Sequence, residues 1–66
     1  MKLHWDRPSD ALYLRLDESA IVETAEVSPG VMLDYNACQQ VVGVEILNIS
    51  KRTPALNPCA FQFQIT

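Results

Sequence analysis

Asp34, Glu45 and the only histidine, His4, are the side chains on which acid–base chemistry would have to rest. A shared proton or a shared divalent cation needs such groups within about 6 Å of one another. Asp34 and Glu45 both lie in segments that alternate apolar and polar residues, so on extended strands they share a face. Placing Tyr35 opposite Gln40 across a hairpin sets Asp34 opposite Val41, with Glu45 four residues further along. At about 3.3 Å per residue that is roughly 13 Å, too far for shared chemistry. A structural role competes: Asp34 accepts backbone or tyrosine hydroxyl bonds, and Glu45 pairs with Arg15 or Lys51. His4 falls opposite Leu3 and Trp5, beside Lys2, where an exposed edge-strand histidine competes with a proton-transfer group. Ser9, Ser19, Ser28 and Ser50 sit in turn or strand-end contexts, and none pairs by spacing with His4, so a Ser-His-Asp triad has no support. Cys38 lies in a loop without a cationic neighbour to make it reactive. There is no CxxC, and with one histidine a four-ligand Cys/His zinc site cannot be built within one chain. No catalytic residue, cofactor or metal-ligand set is assigned.

The elements that must position these residues are strands. Apolar residues recur with period two in Lys2–Trp5 and Ala11–Leu16, more weakly in Ile21–Val27, and again in Val31–Tyr35 and Val41–Ile49. Turn residues separate them: Asp6-Arg7-Pro8-Ser9-Asp10, Asp17-Glu18-Ser19, Ser28-Pro29-Gly30 and Asn36–Gln39. No segment before residue 50 carries a clear 3.6 period. One face then gathers Leu3, Trp5, Leu12, Leu14, Leu16, Val31, Leu33, Val42, Val44 and Ile46. The other holds Met32, Asp34, Val41, Gly43, Glu45, Leu47 and Ile49, a mixed set. Gly43 inside an apolar strand marks a bulge or a close backbone approach.

Such a sheet cannot satisfy both faces within 66 residues, although 48% of them are hydrophobic. Something must cover at least one face. The expected fold is all-β: an antiparallel β-meander of five to six strands over residues 1–52, with helix as a minor component. Residues 53–66 form a tail without any charge that ends in the alternating run Phe61-Gln62-Phe63-Gln64-Ile65-Thr66. A run of this kind is an association hazard when exposed. It is expected to pack on the sheet or on a second chain.

Charge is unevenly placed within a formal net of −3. Residues 1–50 set Lys2, Arg7 and Arg15 against eight acidic residues, whereas residues 51–66 carry only Lys51 and Arg52. An acidic body without a basic stripe argues against nucleic acid, whose affinity comes from phosphate neutralisation. It suits a basic partner protein. The N-terminus lacks the apolar region of a secretory signal, and no apolar run is long enough to span a membrane. The expected setting is the cytoplasm.

Three blocks occur in order: Trp5-Asp6-Arg7-Pro8-Ser9-Asp10-Ala11-Leu12-Tyr13-Leu14-Arg15-Leu16, then Val31-Met32-Leu33-Asp34-Tyr35, then Val42-Gly43-Val44-Glu45-Ile46-Leu47. Together, over about residues 3–51, they resemble the small prokaryotic domain-of-unknown-function family 2283. That resemblance implies a compact β-rich cytoplasmic domain. It also implies an antitoxin-like role beside a small toxin-like protein. The family's usual glycine before the last strand is replaced by Gln39, which tolerates a positive φ poorly. The loop is therefore expected to use another turn, with Asn36 as the left-handed residue. The uncharged tail lies outside the family pattern.

The leading expectation is a non-enzymatic interaction module, a homodimer that also binds or neutralises a small basic protein. Its interface candidates are Tyr13, Met32, Leu47, Ile49, Phe61, Phe63 and Ile65. A small-ligand binding protein is the alternative, and a minor enzyme using Asp34, Glu45 or His4 the third reading.

Overall fold

The computed structural model describes residues 1–52 and 64–65. Five strands form one sheet: β1 (Lys2–Asp6), β2 (Ala11–Arg15), β3 (Glu23–Ser28), β4 (Val31–Tyr35) and β5 (Val41–Leu47). A single helical turn, α1 (Ile49–Arg52), follows. Every neighbouring pair is antiparallel, and the strand order is β1-β2-β5-β4-β3. Chain order therefore gives a hairpin, β1–β2, and a three-stranded meander, β3–β4–β5. The two are joined where β5 pairs with β2. The connection after β2 carries the chain to the far edge, so β1 and β3 are the two open edges of the described sheet.

The period-two pattern places the strands because alternate side chains must sort by face. Turn chemistry sets their ends. The Asp10 N–H donates to the Arg7 carbonyl at 3.1 Å, and Ser9 Oγ donates to the Asp6 carboxylate. Gly30 supplies the positive φ of 76° that the turn after Pro29 needs. β5 stops at Leu47 and not at Ile49, because Asn48 adopts φ 54° and redirects the chain into α1. The Asp10 carboxylate then holds α1, accepting from the Ser50 N–H at 3.2 Å and from Ser50 Oγ at 2.7 Å. Arg52 closes the same end, donating to the carbonyls of Leu47 and Pro29. On the β2–β3 connection, Asp17 accepts from the Ser19 N–H at 2.7 Å, and hydrogen bonding by Ser19 lowers its carboxyl pKa.

Two features differ from the sequence expectation. First, Tyr35 pairs with Val41 and Asp34 with Gly43, so the register shifts at a bulge around Val42. Leu33 meets Val44 and Val31 meets Ile46, two residues further along β5 than simple hairpin pairing gives. A bulge sets two residues against one. Val41 therefore joins Tyr35 on the apolar face and leaves the mixed one. Second, the left-handed residue of the β4–β5 loop is Gln39, at φ 61°, and not Asn36. Asn36 is instead the buried organiser of the loop. Its Oδ1 accepts the N–H of Cys38 and of Gln40, each at 3.0 Å, and the Gln39 N–H donates to its carbonyl at 3.0 Å. That network dictates the loop's shape and forces Gln39 into a conformation that costs an L-residue about 1–2 kcal/mol.

The expected outcome is that Gln39→Gly stabilises the chain by up to about 1 kcal/mol in urea unfolding, after the entropic cost of glycine. Asn36→Ala should destabilise it, because two backbone N–H groups lose their acceptor. An unchanged midpoint in both variants would show that the loop is not held this way.

Candidate functional site

Register places Tyr13, Gly43, Glu45, Met32, Asp34 and Thr24 on one face of four adjacent strands. Asp34 is 7% exposed. A buried carboxylate must be met by donors or it destabilises the fold. Here Tyr13 Oη donates to Asp34 Oδ2 at 3.0 Å, and Thr24 Oγ1 donates to Asp34 Oδ1 at 2.6 Å. Arg15 extends the chain, donating to Tyr13 Oη at 3.4 Å and also to the carbonyls of Asp17 and Ser19. The hydrogen bond to Tyr13 is the main reason the Arg15 pKa is raised. A polar relay thus runs from β2, over β5, to β4 and β3.

Gly43 lets the relay cross β5. A Cβ at this position would lie 2.7 Å from both Tyr13 Oη and Asp34 Oδ2. No side chain fits there, so Tyr13 reaches over bare backbone to a strand that is not its neighbour. The sequence signal for this was present: a glycine amid valines, with an aspartate and a tyrosine in the strands on either side.

Asp34 is therefore held by a tyrosine hydroxyl, as its structural reading has it. Glu45 behaves otherwise. It lies across from Met32 and Tyr13, and Asp34 lies across from Gly43 and not from Val41. The two acidic residues are thus diagonal neighbours about 7–8 Å apart at Cα, not roughly 13 Å. Arg15 turns to Tyr13, Asp17 and Ser19, and no ion pair joins Glu45 to Arg15 or Lys51 among the described residues. His4 is exposed on β1, across from Tyr13. Among the described residues, no three His, Cys, Asp or Glu side chains gather closely enough to hold a metal ion.

The other face is apolar, and among the described residues no second strand layer packs over it. It carries Leu3 and Trp5 on β1, Leu12 and Leu14 on β2, Val44 and Ile46 on β5, and Val31, Leu33 and Tyr35 on β4. None of these nine is buried, and Leu3 is 42% exposed. Only Ala11, Val42 and Ile49 are buried apolar residues among those described. The Trp5 indole N–H is shielded from solvent yet has no hydrogen-bond partner among the described residues, while the Arg7 guanidinium lies 5.0 Å from the centre of its ring. An open depression of about 330 Å³ lies at one corner, lined by Glu23, Ala25, Tyr35 and Gln39.

The interface candidates read from sequence are distributed unevenly. Tyr13, Met32 and Leu47 are half-buried on the relay face, with the Tyr13 hydroxyl engaged by Asp34. Ile49 is 7% exposed and belongs to the chain's own core. Ile65 is 86% exposed. Phe61 and Phe63, and with them most of the tail, lie outside the described residues. The larger apolar surface is the face that period two had collected as a core.

Tyr13→Phe removes one donor from a buried carboxylate and should cost about 1–3 kcal/mol. Gly43→Ala should cost at least as much, since the added methyl must displace one partner of the Tyr13–Asp34 bond. In the double variant the two penalties should be less than additive, because the methyl then meets only the Asp34 carboxylate and no longer the hydroxyl as well. Additive penalties in denaturant melts would mean that Gly43 does not serve this bond.

Comparison with known proteins agrees with this arrangement of blocks. No curated protein and no solved structure matches the chain at a significant level. The family model described as "Protein of unknown function (DUF2283)" matches residues 2–50, which span all five strands, and the chain belongs to that family.

Proposed function

We propose that this chain is a non-enzymatic interaction module of the cytoplasm. It works as a homodimer and binds a small basic protein in the manner of an antitoxin. The observation that carries the reading is the open apolar face. Nine apolar side chains on four strands share it, and none is buried. Strands lie about 4.8 Å apart and rise about 3.3 Å per residue. The face is therefore roughly 15–20 Å in each direction, on the order of half the area that one side of a standard protein–protein interface buries. A second copy offers the same apolar surface, and two such sheets stack about 10 Å apart as a sandwich.

Charge supports the second half of the reading. Between Arg15 and Lys51 the chain carries Asp17, Glu18, Glu23, Glu26, Asp34 and Glu45 and no lysine or arginine. Such a surface favours a basic partner and disfavours phosphate. The relay does not favour an enzyme, because Asp34 is buried and both its oxygens already accept hydroxyl donors. The depression at Glu23 is open, whereas small-ligand sites enclose most of the ligand.

Sedimentation velocity at micromolar concentration tests the dimer. The chain should sediment as two copies, and Leu33→Lys or Val44→Lys should each give a folded monomer. A monomeric parent, or lysine variants that remain dimeric, would overturn the face as the contact. If only Phe61→Ser with Phe63→Ser dissociates the dimer, the contact belongs to the tail.

A further inference from the structure

The reading that a basic protein binds this chain can be taken to a particular surface. Two backbone bonds decide which way the edge strands turn their hydrogen-bonding groups. The Leu47 N–H donates to the Gly30 carbonyl at 2.8 Å. With period two, the backbone groups of Met32 and Asp34 then face β5, and those of Leu33 and Tyr35 face β3. Ala25 and Glu23 face β4 in return, which leaves the N–H and C=O of Thr24 and Glu26 pointing away from the sheet. Likewise the Leu16 N–H donates to the Val42 carbonyl at 2.7 Å, so Leu3 and Trp5 turn theirs outward on β1. Both edges are templates for an added strand.

Side chains choose between occupants. β1 carries Lys2 and His4 with a single acid, Asp6, at its end and Arg7 just beyond, so it offers a basic strand less than β3 does. β3 is exposed at every residue but Ala25, and carries Glu23 and Glu26 on its two faces. Pairing β3 with a second β3 sets carboxylates against carboxylates, which is unfavourable. The irregularity between Glu26 and Ser28 confines a regular ladder to Glu23–Glu26. These devices discourage self-association without discouraging a strand of opposite charge. The depression lined by Glu23, Ala25, Tyr35 and Gln39 opens beside this edge. A lysine or arginine on an added strand can lay its methylenes against Ala25 and the Tyr35 ring with its charge at Glu23.

We infer that β3 is a docking edge for an extended basic segment of a partner protein, which adds as a sixth strand along Glu23–Glu26 and places one cationic side chain in the Glu23–Tyr35 depression. The inference rests on the reading that the natural partner is basic, but its test does not depend on the dimer.

The probe is a short synthetic peptide alternating lysine and valine, with one alternating glutamate and valine as control. Both are titrated into the full chain and followed by amide hydrogen exchange and chemical shifts. The lysine peptide should protect the Thr24 and Glu26 amides, and the control should not. Glu23→Gln with Glu26→Gln should weaken binding on the order of tenfold, the scale two exposed ion pairs support. The dichroism spectrum should not change. Absence of binding, equal binding of both peptides, an unchanged affinity in the double variant, or protection at Leu3 and Trp5 would each overturn the assignment. Binding of the lysine peptide away from β3 would leave the basic-partner reading standing while removing this edge, and sedimentation of the same samples reads the dimer separately.

Discussion

The rest of the sheet depends on one buried carboxylate. Asp34 sits on β4, is approached from β3 by Thr24 and from β2 by Tyr13, and lies across from a glycine on β5. Its position fixes register in a way that apolar contacts alone do not. Slipping β4 by one residue would turn Asp34 onto the apolar face and strip it of both hydroxyl donors. Leaving a buried carboxylate without partners costs far more than repositioning a valine. The same constraint explains Gly43. Glycine is a poor strand residue because of its backbone entropy, yet any side chain there would occupy the space through which Tyr13 reaches Asp34.

Satisfying this face polarly has a consequence for the other. The relay, the Arg15 contacts and the bonds from Asp10 and Arg52 close one side and one end of the sheet with hydrogen bonds. Apolar closure is left to few residues, and only three apolar side chains are buried among those described. A chain of this size buries only about 60% of the surface it exposes when unfolded, so an apolar face left in water forgoes the largest available stabilising term. Covering that face is therefore a requirement of stability before it is a question of function.

What could be read from the sequence follows from the range of the forces involved. Alternation is local, so β4 appears with its full bounds, and eight of the nine side chains on the apolar face are among those that alternation collects, Tyr35 being the ninth. The bounds of β3 and the end of β5 do not, because a left-handed Asn48 and an irregular β3 leave no periodic trace. Strand order depends on which edges meet after the long β2–β3 connection, and nothing within a strand encodes that. Tyr35 meeting Val41 and not Gln40, together with the bulge at Val42, displaced the pairing by two residues, and with it the inferred distance from Asp34 to Glu45. The substitution of the family's usual glycine by Gln39 suggested a change of turn. Gln39 is the strained residue in this chain, because the three bonds to Asn36 outweigh one unfavourable φ.

In the proposed assembly, apolar and charged surfaces would divide the work of recognition by their physics. Burial of the open face is non-directional and accepts many complementary apolar surfaces, a second copy among them. Charge discriminates, because a wrongly placed like charge costs more than a right one gains. In this chain the two lie apart: the apolar residues run from β1 across to β4, while exposed acids crowd onto β3 and the connection before it. A partner that only covers the face gains affinity without selection. One that also runs along β3 is selected by the backbone's fixed spacing and by carboxylates on both sides of the strand. Specificity along an edge, where hydrogen-bond geometry and charge act together, needs no enclosed cavity.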